Sequence, residues 1–69
     1  MNQLAAVLDE ESYNWLDANY PDVCVAVEAE VKAKRTPEEI RRFVMRHTGR
    51  FEFAVRCQAA ARFLMNRIK

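Results

Sequence analysis

A single glycine, Gly49, interrupts the 69 residues of this chain, which excludes the glycine-rich loops that cradle phosphates in nucleotide sites. Two cysteines, Cys24 and Cys57, are too few for a disulfide framework and read as a pair of buried, reduced thiols. With one histidine, His47, no Ser-His-Asp or Cys-His arrangement follows from spacing. His47 with the two cysteines is too sparse and scattered a set for zinc, which takes four ligands in close pairs. Asp9-Glu10-Glu11 has no calcium-loop spacing around it and reads as a solvated helix start. No metal and no cofactor are expected. No apolar run approaches the roughly 20 residues of a membrane span. The short run from Leu4 to Leu8 stops at the acidic triplet and has no basic segment before it, unlike a secretory signal. The expectation is a cytoplasmic protein with no membrane partner. A chain of this size has little room for a substrate pocket, so it is not expected to be an enzyme.

What the chain does have is apolar bulk and a split charge. Apolar residues make up 51% of it, enough for a core and too many for a disordered segment. One small domain spanning 1–69 is expected, burying about 60% of the surface exposed when unfolded. Residues 1–34 carry seven acids against Lys32 and Lys34, a net −5, and residues 35–69 carry nine bases against Glu38, Glu39 and Glu52, a net +6. Such a dipolar chain favours docking of one half on the other, or of the basic half on an anionic partner.

Two prolines and few hydroxyl residues leave long uninterrupted stretches rich in alanine, arginine, glutamate and valine, a composition for helices joined by short turns. Thr36-Pro37-Glu38-Glu39 predicts a helix start: Thr36 as cap, Pro37 at the first helical position, Glu39 reaching back to the Thr36 N–H. Ile40, Phe43, Val44 and His47 then form one face for burial, and Gly49 suits a left-handed cap, giving a helix over 37–48. Residues 50–68 predict a second helix with Phe53, Cys57, Ala60, Ala61, Leu64 and Ile68 on one broad face. At the start, Leu4, Leu8 and Trp15 share a face beside Ala5, Ser12 and Leu16. Either one bent helix or two short ones, the second from Asp9, fits there, and Pro21 turns the chain at Tyr20. Trp15 is expected in the core. Residues 22–35 carry two periods. Val23, Val25, Val27, Ala29 and Val31 alternate as in a strand, while Val23, Cys24, Val27 and Val31 make a helical stripe with Glu28–Lys32 and Glu30–Lys34 pairs. A lone strand has no partner in this chain, so helix is preferred. The fold class is therefore all-α: a compact bundle of three or four short helices with the C-terminal helix central.

That last helix has a second apolar row, Phe51, Val55, Ala59 and Phe63, on another side, with Arg56, Arg62 and Arg67 along its rim. Arginine around an aromatic suits a protein interface. The expected function is a non-enzymatic protein-interaction module, regulator or adaptor, docking this face on a partner protein or on a second copy as a homodimer. The alternative is a small nucleic-acid-binding regulator using Arg41, Arg42, Arg46, Arg56 and Arg67 against phosphates. If 23–33 is a strand, the order strand, helix, glycine turn, helix, with His47-Thr48-Gly49-Arg50 ahead of Ala59 and Phe63-Leu64, resembles the ribbon-helix-helix DNA-binding proteins. That resemblance implies a dimer whose two-stranded ribbon enters the major groove, here presenting Glu28 and Glu30 beside Lys32 and Lys34.

Overall fold

In the computed structural model the backbone is described for residues 3–68 and the side chains for residues 8–67. The chain folds into four helices, α1 (Gln3–Asn19), α2 (Pro21–Lys32), α3 (Pro37–Thr48) and α4 (Phe51–Ile68), and α4 packs against the other three. The expected bundle with a central last helix is what forms. The side chains of Leu4, Ala5 and Ile68, assigned to apolar faces from the sequence, lie outside the described residues.

Each break between helices has a local cause. Pro21 disfavours helical backbone at Tyr20, which sits at φ −141° and ψ 66° and is the one residue between α1 and α2. The Tyr20 N–H still closes on the Leu16 carbonyl at 2.7 Å, and its own carbonyl accepts from Cys24 at 3.0 Å. The start of α3 forms the anticipated capping box. Glu39 N–H donates to Thr36 Oγ1 at 3.1 Å, and Thr36 N–H donates to Glu39 Oε1 at 2.9 Å. Gly49 ends α3 in the left-handed conformation at φ 68°. Thr48 adds a link there, donating to the Val44 carbonyl at 2.8 Å and accepting the Arg50 N–H at 3.1 Å.

The end of α2 was not foreseen. Lys34 takes φ 71°, its N–H bonds to the Val31 carbonyl, and the Arg35 N–H bonds to the Glu30 carbonyl. This is the six-to-one and five-to-two pattern that usually places glycine where Lys34 stands. It also separates Lys34 from Glu30. The Glu28–Lys32 pair forms at 3.5 Å, but Glu30 pairs instead with Arg35 at 3.3 Å.

Two open alternatives are decided, and two expectations, on Asp9 and on the Phe43–His47 face, are corrected. Residues 23–32 are helical, so the ribbon on which the ribbon-helix-helix resemblance depends is absent. Cys24, Val27 and Val31 form the buried stripe, and Val25, an alternate valine of the strand pattern, is 66% exposed. The first segment is one helix that runs through Asp9 to Asn19. Asp9 is buried rather than solvated. On α3, Ile40 and Val44 are buried, but Phe43 is 57% exposed and His47 is exposed with it. The reason is that α2 and α3 meet less than any other touching pair of helices, so the Phe43 edge of the helix finds no wall.

The core runs along α4. Phe53, Ala54, Cys57, Ala60, Ala61 and Leu64 meet Leu16 of α1, the α2 stripe, and Ile40 and Val44 of α3. Alanines at 54, 60 and 61, all fully buried, keep the central helix thin enough for three neighbours to approach its backbone. Trp15 packs beside the core, with Tyr20 at 5.6 Å and Phe53 at 6.4 Å between ring centroids.

Candidate interaction site

The second apolar row of α4 lies along its seam with α1, and the two ends of the row differ. At the C-terminal end, Ala59 is buried, and Phe63 is half-buried against Tyr13 with centroids 5.1 Å apart. At the N-terminal end, Phe51 is 60% exposed and Val55 is exposed beside it. Across from them α1 presents Leu8, itself 52% exposed, and Ser12. The space between is a recess of about 470 Å³. Its apolar surface comes from Leu8, Phe51, Val55 and Ala59, and its polar surface from Ser12, Asp9, Glu52, Arg56 and Arg62.

Two of the three rim arginines are held by α1. Arg62 grips Asp9 with both ends of its guanidinium, Nε donating to Oδ2 at 3.1 Å and Nη2 to Oδ1 at 3.0 Å. Asp9 is only 8% exposed. These hydrogen bonds push the Arg62 pKa further up, so its charge is fixed. Arg56 lies 4.5 Å over the Trp15 ring and Arg67 lies 5.4 Å over Phe63. Arg62 is therefore half of an internal ion pair, while Arg56 remains at the recess as a flat cation on an aromatic floor.

The five residues Phe51, Val55, Ala59, Arg56 and Arg62 thus share one recess, whereas Phe63 and Arg67 sit further along the seam, outside it. Leu8 and Ser12 on the opposite wall were missed as site residues. They carry no signal of their own, because only the docking of α1 on α4 faces them toward Phe51 and Val55. Asp9 was misjudged for the same reason: its partner is 53 positions away.

The alternative set divides between two seams. Arg42 and Arg46 are exposed on α3, make no ion pair among the described residues, and share a recess of about 310 Å³ with Arg35. Glu30 and Glu39 line the same recess, and Glu39 is held below the usual carboxylate range by the Thr36 N–H. Arg41 is half-buried, Arg56 lies against Trp15 of α1, and Arg67 lies against Phe63 of its own helix.

Thiol and imidazole groups are placed for packing. Burial, and then the neighbouring Cys24, push the Cys57 thiol up to about 11. Burial also raises Cys24, with Asp17 and Glu28 adding to it. Both are free thiols and stay protonated at neutral pH, the unreactive form. The His47 ring lies 4.1 Å from that of Phe43, and its Nδ1 is 3.0 Å from the Phe43 carbonyl oxygen, the geometry of an N–H donor. Among the described residues no three of His, Cys, Asp or Glu gather as a metal site, and no helix is long and apolar enough to cross a membrane.

Fold and recess together define a small four-helix domain with an open, mixed apolar and cationic seam. Comparison with protein-family models, with curated proteins and with solved structures finds no match.

Proposed function

We propose that this chain is a non-enzymatic docking module, a small regulator or adaptor that receives an apolar segment of a partner protein in the α1/α4 recess. The observation that carries the reading is the trio Leu8, Phe51 and Val55, three exposed apolar side chains converging from two helices on one recess. Exposed apolar surface gathered in one place marks interaction sites, whereas single exposed residues do not. Arg56 supplies a flat, weakly hydrated cation at the edge, a residue type enriched in interfaces. The bidentate Asp9–Arg62 pair ties the walls together, so the recess is formed before a partner arrives.

The test uses affinity capture from the native host with three baits: the parent chain, Val55→Asp, and Arg42→Glu on the far seam. A partner set lost with Val55→Asp and kept with Arg42→Glu is expected, with circular dichroism unchanged in all three. Identical sets from all baits overturn the reading.

A second reading, nucleic-acid binding through α3, is favoured by Arg42 and Arg46, one turn apart and without an ion pair among the described residues. The carboxylates of Glu30 and Glu39 in the same recess oppose it. Retention on DNA or RNA that falls steeply with salt and is lost with Arg42→Glu is its signature.

A further inference from the structure

Between Glu39 and Glu52 the chain carries Arg41, Arg42, Arg46 and Arg50 and no acidic residue. Helical spacing turns Arg42 and Arg46 to one side of α3, with about 5–6 Å between their Cβ atoms. Both are exposed, and neither makes an ion pair among the described residues. They line the recess of about 310 Å³ that Arg35 and Phe43 also line. Phe43 stands on the face that the sequence assigns to the core, yet 57% of its surface is exposed. The His47 ring, 4.1 Å away, props it from within α3.

Two carboxylates share this recess, and each is engaged. Glu39 accepts the Thr36 N–H at 2.9 Å as half of the capping box. Glu30 pairs with Arg35 at 3.3 Å. Three arginines against two glutamates leave the recess a net +1. Such a field is too small for a ligand held by phosphate contacts alone, which needs several cations along its track. The ligand must gain from the exposed ring as well. A flat, unpaired base on Phe43, with its phosphates on Arg42 and Arg46, uses both features. Cations beside an exposed aromatic hold single strands in this way, and the stacking is tolerant of sequence. A duplex keeps its bases stacked on one another and offers Phe43 no face without the cost of flipping one out.

We infer that the Arg42–Phe43–Arg46 surface of α3 is a weak site for single-stranded nucleic acid, the Phe43 ring stacking with one base and the two guanidiniums gripping the phosphates beside it. The inference rests on the second reading above and narrows it from nucleic acid to single strands. It is independent of the α1/α4 recess, which lies on another seam.

Fluorescence anisotropy at low salt tests it, with labelled oligo-dT and oligo-U of about a dozen nucleotides, a length that covers one small binding site. Both are expected to bind, with a log–log salt slope of about −1.4, or ~0.7 for each of two phosphates. Phe43→Leu is expected to lose about fivefold or more in affinity with the slope unchanged, because it removes stacking and no charge. Arg42→Gln and Arg46→Gln are each expected to lower the slope by about 0.7. Val55→Asp, on the other seam, is expected to bind as the parent does. All four positions are exposed, and an unchanged helical spectrum is the control. Failure of both oligonucleotides to bind overturns the inference and the second reading together, as does polyglutamate bound equally well. A duplex bound as tightly as the single strands, or full affinity kept by Phe43→Leu, overturns the inference and leaves the second reading standing.

Discussion

Helices α1 and α4 are far apart in sequence and yet form the most extensive seam of the domain, with a buried leucine, a bidentate ion pair and the Tyr13–Phe63, Trp15–Phe53 and Arg56–Trp15 contacts. Helices α2 and α3 are joined by only four residues and barely meet. Closeness along the chain thus does not set closeness in space here. The difference lies in side-chain size and charge. On the first seam Leu16 is buried in the core with the small Ala60 of α4, Tyr13 packs on Phe63, and the acidic and basic halves join through Asp9 and Arg62. On the second seam both helices lean on α4 rather than on each other, and Phe43 and Glu30 stay at the edges.

The contrast is sharpest in the cost of truncation. Leu16 is fully buried, so Leu16→Ala is expected to cost about 3 kcal/mol, a large part of the stability of so small a domain. Phe43→Ser is expected to cost well under ~1 kcal/mol, since an exposed ring has little burial to lose. Urea denaturation followed by circular dichroism checks both, and similar midpoints for the two variants would erase the distinction between the seams. A middle-sized effect is expected at Asp9. Asp9→Asn keeps the volume but removes the charge that holds Arg62, whose half-exposed guanidinium then returns to water at a cost of about 1–2 kcal/mol. In the double variant with Arg62→Met the loss should be smaller than the two single losses added, and strict additivity would mean that the pair contributes nothing jointly. The smallest effect has the opposite sign. Lys34 holds a left-handed conformation that glycine adopts freely, so Lys34→Gly is expected to stabilise by about 0.5–1 kcal/mol. A lowered thermal midpoint for this variant would show that the Lys34 backbone is not strained.

Much of the fold was legible in the sequence because its signals are local. Thr36, Pro37, Glu39 and Gly49 act on backbone groups within four residues, and α3 begins and ends where they stand. The choice between strand and helix for residues 22–35 rested on the lack of a second strand, and the buried Cys24, Val27 and Val31 agree with it. The candidate site was legible in part. The row Phe51, Val55, Ala59 and Phe63 was visible as a row, but nothing local shows that α1 covers its far half and leaves the near half open. Nor could the acidic triplet show which of its carboxylates is buried, since Asp9 differs from Glu10 and Glu11 only in what docks against it.

The amino-acid order alone determined four things: where α3 begins and ends, that Pro21 breaks the chain at Tyr20, that the core is apolar along α4, and that the two halves carry opposite charge. These follow from steric limits, capping and residue periodicity, which act within a turn or two of helix. Tertiary structure alone decided that Arg62 is spent on Asp9, that Arg56 rests on Trp15, that Phe43 is left outside, and that the α1/α4 and α2/α3 seams keep recesses. Those outcomes depend on the distances between helices, which the packing of all four against one another sets and no single segment encodes.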